Sequence, residues 1–314
     1  MKHIDIVTSA LNEEDAVEIL YERLDLVFKK MAKYSWKLII FDNGSSDATW
    51  MKILKLSSKY KNVQGFRTTR TFPLDSIFSL GLQKVTGDAA IIMASDLQDP
   101  PEVIPELIEK WELGFSQILV RVNDRAGMPK LRKILTSQFY KFAEWASDGQ
   151  MPKNVSDFRL LDQKVYETYN SLPERNRFLR GLFAWTGYSN TFVDIIRPER
   201  ETGNSKAKYL PLIKFSLRGI FAVSNKPLSL ISTFGFILSF ISLISVIFFS
   251  LIWIFIGVPF AGFGTIVGLI AIVFSLLVGI LGIISEYLAL IYTELKNRPL
   301  GIVRDITPNN SDDN

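Results

Sequence analysis

Ala89–Glu102 reads AAIIMASDLQDPPE: an apolar run fit for a buried strand, a turn holding Asp96 and Asp99, and a Pro-Pro pair that opens a helix. The same grammar stands at Leu38–Thr49, LIIFDNGSSDAT, where an apolar run ends at Asp42 and passes through a Gly-containing turn into a helix. Working outward, strands are expected at Ile4–Ser9, Val63–Phe66 and Gln117–Val122. Helices are expected from Asn12 as N-cap, near Leu74–Val85 and near Pro101–Trp111. Strands alternating with helices predict an α/β fold with a mostly parallel sheet flanked by helices. In such sheets ligands bind beyond the carboxyl ends of the strands, where both acidic turns fall.

Beyond Asn123 the order is less regular. It gives a helix near Lys130–Ala146, a short segment Phe158–Leu161, helices near Gln163–Leu172 and Asn176–Trp185, and a strand near Thr191–Ile196. Then 59 residues, Pro227–Ser285, pass without a charged side chain, interrupted by Gly257, Pro259, Gly262 and Gly264. A span needs about 20 apolar residues, so the run predicts two transmembrane helices, 227–257 and 263–292. Lys206, Lys208, Lys214, Arg218 and Lys226 precede the spans, and Lys296, Arg298 and Arg304 follow them. The positive-inside bias therefore puts the large domain and both termini on the cytoplasmic side. Leu210, Ile213, Leu217, Ile220 and Phe221 line one side of a helix flanked by Lys214 and Arg218, as in an amphipathic helix lying on anionic lipid or packing on the domain. The resulting division is a catalytic domain 1–205, an interfacial segment 206–226, the two spans, and a tail 293–314.

Candidate chemistry lies in a few clusters. Asp42 could accept hydrogen bonds from a base or ribose, with Gly44 permitting close approach, although an ordinary capped turn has the same composition. Asp96 and Asp99 are hard oxygen ligands suited to Mg²⁺ or Mn²⁺ held jointly with a diphosphate, or alternatively a helix start. Asp157 and the run Asn176–Gly181, with Arg177 and Arg180, could hold a phosphate beside a carboxylate or form a structural salt bridge. Arg200, Ser205 and Lys206 stand just before the amphipathic segment, where cations could meet a lipid phosphate. The single histidine, His3, and the absence of cysteine argue against a zinc site or a Ser-His-Asp triad. A net charge of +4 is modest, and no nucleic-acid partner is expected.

Together ALNEED (10–15), FDNGSSDAT (41–49), SDLQDPPE (95–102), SDFRLLD (156–162), NRFLRG (176–181) and the loop 200–206 resemble family 2 glycosyltransferases of the GT-A (Rossmann-like) fold. More narrowly, they resemble the polyprenyl-phosphate glycosyltransferases related to dolichyl-phosphate mannose synthase. The resemblance implies a membrane-bound enzyme that moves a sugar, with inversion, from a nucleotide sugar to polyprenyl phosphate at the cytoplasmic leaflet. It implies donor contacts from Glu13, Asp42, Gly44, Ser95, Asp96 and Gln98, a divalent metal (Mg²⁺ or Mn²⁺) on Asp96, and catalytic roles for Asp157 and Asp96. It places Arg177, Arg180, Arg200, Ser205 and Lys206 near phosphates of donor or acceptor. Two departures stand out: Ala94 occupies the place of the first carboxylate of the DxD motif, and Arg70–Asp75 replaces a Gly-Lys-Glu-like segment. Another lipid or glycan acceptor, or a non-catalytic nucleotide-binding scaffold, is the alternative. The sugar, base and oligomeric state are left open.

Overall fold

In the computed structural model the described residues are 1–124, 155–196 and 262–308, with nine isolated positions between Thr233 and Phe255. Eight strands form one sheet: β1 (Lys2–Ala10), β2 (Tyr34–Asp42), β3 (Val63–Thr68), β4 (Ala89–Ala94), β5 (Gln117–Asp124), β6 (Val155–Asp162), β7 (Asn190–Ile196) and β8 (Val303–Ile306). Their order is β7-β5-β6-β4-β1-β2-β3-β8. β1 pairs in parallel with β2 and β4, β2 with β3, and β5 with β7, whereas β6 runs antiparallel to β4 and β5, and β8 to β3.

The central strands are apolar on both faces because both are covered. Alternate residues divide between two cores. Ile4, Ile6, Leu38, Ile40, Ile91 and Met93 face α1 (Ala16–Lys29), α2 (Thr49–Lys59) and α4 (Ile104–Glu112). Val7, Ile39, Phe41, Ala90 and Ile92 face α3 (Leu74–Leu82), α5 (Gln163–Ser171) and α6 (Leu179–Trp185). The connections through α1 and α2 build the sheet outward from β1. The chain then returns through α3, on the opposite face, to place β4 on the other side of β1. Ligands of such sheets bind where the strand order reverses, beyond the carboxyl ends of β1 and β4, and both acidic turns lie at that end of the sheet.

Several expectations are corrected. Asn12 is not the cap of α1, which starts at Ala16; Asn12 sits at φ 57° and its side-chain oxygen accepts the Ser46 N–H instead. The helix expected from Asn176 begins at Leu179, and the short segment at 158–161 is an eight-residue strand. Residues 303–306, expected in a tail, form β8 on the edge of β3.

A 33-residue helix, α7 (Phe263–Leu295), corresponds to the second expected span, and Ile272–Leu295 is long and apolar enough to cross a membrane. The nine isolated positions are helical and exposed. The rest of span 227–257 lies outside the described residues, as do the expected helix at 130–146 and the segment 206–226.

Candidate functional site

The β2 turn is held by its own atoms. Asp42, fully buried, accepts the Ser45 N–H at 2.9 Å through Oδ1, while Oδ2 lies 3.0 Å from Arg67 Nε, an ion pair without hydrogen-bond alignment. Asn43 exchanges two hydrogen bonds with the Phe72 backbone at 2.8 and 2.9 Å, fastening the β3–α3 loop. Gly44 has φ 80°, and a Cβ there would lie 2.8 Å from the Arg70 carbonyl carbon and 2.9 Å from the Thr71 nitrogen. Its need for glycine therefore comes from the adjoining loop. From β1, the Asn12 N–H donates to Ser45 Oγ and the Glu13 N–H to Thr49 Oγ1, each at 2.9 Å.

The β4 turn is built in the same way. Asp99 is buried and accepts the Ala94 N–H at 2.9 Å, closing the turn. Ser95 is also buried, donating to the Ser9 carbonyl. Asp96 and Gln98 remain partly exposed, with Asp96 Oδ1 accepting the Gln98 N–H at 3.2 Å, and Leu97 between them takes φ 60°. Asp96 is thus the carboxylate of this turn that stays partly exposed, at the carboxyl end of the sheet. Among the described residues no three His, Cys, Asp or Glu side chains gather as a ready metal cage. A one-carboxylate contribution to an ion shared with a diphosphate fits this turn.

Asp157 and Arg180 meet as a fork, Nε to Oδ1 at 2.7 Å and an Nη to Oδ2 at 2.9 Å, both half-buried. Arg177, expected beside them at a phosphate, is placed otherwise. Its guanidinium donates to the carbonyls of Tyr169, Leu172 and Glu174 and lies over the Tyr169 ring, closing the carboxyl end of α5. Arg200, Ser205 and Lys206 lie outside the described residues. His3 stands at the opposite end of β1, hydrogen-bonded to Ser35 Oγ and Asp5. Asp5 also accepts the Thr86 and Gly87 N–H groups, so this trio joins β1, β2 and the approach to β4.

Three residues emerge that the sequence did not single out. Arg159 is buried behind Asp157, donating to the carbonyls of Ser156 and Asp157 over the Phe183 ring. Desolvation pulls its pKa down to about 10 against the pull of Asp157. Asp75, in the first turn of α3, keeps some surface in solvent, yet packed atoms around its carboxyl push its pKa up to about 7. Asp157 adds to the rise and Arg180 opposes it. Glu294, near the end of α7, accepts the N–H groups of Arg175 and Asn176 at 2.8 and 2.7 Å. A lone Arg within the apolar run of β6 was the one available signal for Arg159.

The geometry has counterparts among known proteins. Residues 5–169, more than half of the chain, match the model of glycosyl transferase family 2. An uncharacterised glycosyltransferase of Synechocystis sp. is 35% identical over 96% of this chain and 95% of its own length. A prophage-derived bactoprenol glucosyl transferase of Shigella flexneri is 34% identical over 96% and 97%. Glucosyl-3-phosphoglycerate synthase of Mycobacterium tuberculosis, solved with Mn²⁺, UDP and phosphoglyceric acid, superposes with a TM-score of 0.53 at 18% identity, over 70% of this chain and 76% of that one. That likeness shows a shared GT-A-like fold. The chain belongs to glycosyltransferase family 2.

Proposed function

We propose that the protein transfers a sugar, with inversion, from a nucleotide sugar to polyprenyl phosphate at the cytoplasmic face of a membrane that it crosses twice. The observation that carries this reading is the end-to-end likeness, through the apolar helix, to relatives named bactoprenol glucosyl transferases. The donor would lie at the reversal point of the sheet. There the loops fixed by Asp42, Gly44 and Ser95 shape the wall, while Glu13, Asp96 and Gln98 offer polar contacts.

Asp96 would hold a divalent metal, which when bound supplies positive charge to the departing diphosphate. With Ala94 in place of a first carboxylate, the ion depends more on the diphosphate than on the chain. The acceptor needs little base catalysis, because the second pKa of a phosphate monoester is about 6. The larger tasks are bringing two anions together and orienting them. Arg180 supplies positive charge to the acceptor phosphate, with Arg200, Ser205 and Lys206 contributing from the loop before the membrane. Asp157 orients Arg180, since both its oxygens lie on that guanidinium.

The test is incubation of the full-length protein in vesicles with a panel of sugar nucleotides and polyprenyl phosphate, with products read by mass and Asp96→Ala run in parallel. A glycosyl-phosphopolyprenol formed by wild type and lost in the variant is the expected result. Transfer only to other acceptors overturns the substrate, and full activity of the variant overturns the role of Asp96.

A further inference from the structure

The segment 175–180 carries Arg180 and is held by a carboxylate from a distant part of the chain. Glu294 accepts the Arg175 and Asn176 N–H groups with its two oxygens, a paired, charge-assisted contact. Arg175 Nε also donates to Asn297 Oδ1 at 2.8 Å. Asn297 has φ 46° just past the end of α7, a left-handed position that Asn tolerates well. The chain then enters the sheet at once: the Ile302 carbonyl accepts the Thr69 N–H, and Thr307 exchanges two bonds with Gly65. The end of the apolar helix is therefore joined both to the segment leading into Arg180 and to the sheet edge.

We infer that Glu294 is a positioning residue that fixes the Asp157–Arg180 pair in height and orientation relative to the membrane helix. The inference rests on the reading above, in which Arg180 meets a phosphate anchored in the bilayer. A long prenyl acceptor holds its phosphate at a set depth. Loss of the clamp therefore penalises that acceptor, whereas a short water-soluble prenyl phosphate adjusts its own position.

The experiment uses the full chain in vesicles, as wild type, Glu294→Ala and Glu294→Gln. Kinetics are measured with a long-chain and a short soluble prenyl phosphate. The sequence has no cysteine, so one pair introduced at Lys164 and Arg298 reports the α5–α7 separation by spin labelling. We expect Glu294→Ala to raise KM for the long acceptor by about tenfold, to leave the short acceptor near wild type, and to broaden the distance distribution. Glu294→Gln, with one carbonyl oxygen for two N–H groups, should fall between. An unchanged long-acceptor KM, an equal loss on both acceptors, or an unchanged distance distribution overturns the inference. If wild type uses neither acceptor, the acceptor reading fails separately, and the distance distribution alone decides whether Glu294 clamps the helix.

Discussion

Asp75→Asn is expected to stabilise the protein at alkaline pH and to do little in acid. Packing around its carboxyl raises the pKa of Asp75 from 3.8 to about 7, with the nearby Asp157 charge adding to the rise. Below about pH 4 folded and unfolded chains both hold the proton, and the contribution vanishes. Between about pH 4 and pH 7 the unfolded chain has released it while the folded chain keeps it, so stability falls as pH rises; above pH 7 the penalty is fully present. From pH 5 to pH 8 the difference spans about two pKa units, at most ~2.7 kcal/mol, and partial solvation of the carboxyl reduces this to about 2 kcal/mol. For a domain of this size that corresponds to roughly 4–8 °C in Tm. Asn has nearly the shape of Asp, so the variant removes the charge with little change in packing. The assay is thermal unfolding of the full chain in detergent across pH 5–8, wild type against variant. A Tm difference that grows with pH in favour of the variant is expected. A constant offset would mean that Asp75 is ionised throughout and that its surroundings are more polar than the packing indicates.

Gly44→Ala should cost about 2 kcal/mol or more, because a left-handed non-glycine residue costs about 1–2 kcal/mol and its Cβ also meets the backbone of Arg70 and Thr71; an unchanged Tm would show that the β3–α3 loop yields freely. Arg177→Ala should lower Tm while leaving acceptor KM near wild type, since its donors close the end of α5. Arg180→Ala should raise acceptor KM roughly ten- to a hundredfold with little change in donor binding. Finding these last two results exchanged would reverse the roles assigned to the two arginines.

The periodicity of the strands carried most of the fold. β1, β2 and β4 alternate between two buried faces, and their apolar runs locate them to within a few residues. β8 was not legible, because Val303–Ile306 follows an apolar helix and only pairing with β3 makes it a strand. The acidic turns were found because strand ends in such sheets face the crevice, but composition could not say which carboxylates turn inward. Asp42 and Asp99 satisfy N–H groups of their own loops, whereas Asp96 stays at the surface. Arg177 and Arg180 are three residues apart in one motif, yet one reaches the carbonyls at the end of α5 and the other lies inside α6 opposite Asp157. Those differences arise from tertiary contacts that composition does not encode, as do the packing around Asp75 and the bonds of Glu294.

The distribution of these charges bears on how one scaffold can serve a diffusing nucleotide and a lipid fixed in depth. Buried carboxylates that bind backbone N–H groups make loops stiff, because withdrawing either partner leaves a desolvated polar group. Asp42 and Asp99 stiffen the two turns after β2 and β4 in this way. Glu294, half-buried, holds the segment that carries Arg180 in a similar way. A donor arriving from solution selects its own orientation in a rigid crevice. On the proposed reading a membrane-held acceptor cannot, so the rigidity on its side has to extend to α7. Glu294 makes that link to the segment that carries Arg180, and β8 on the edge of β3 ties the end of the same helix to the sheet.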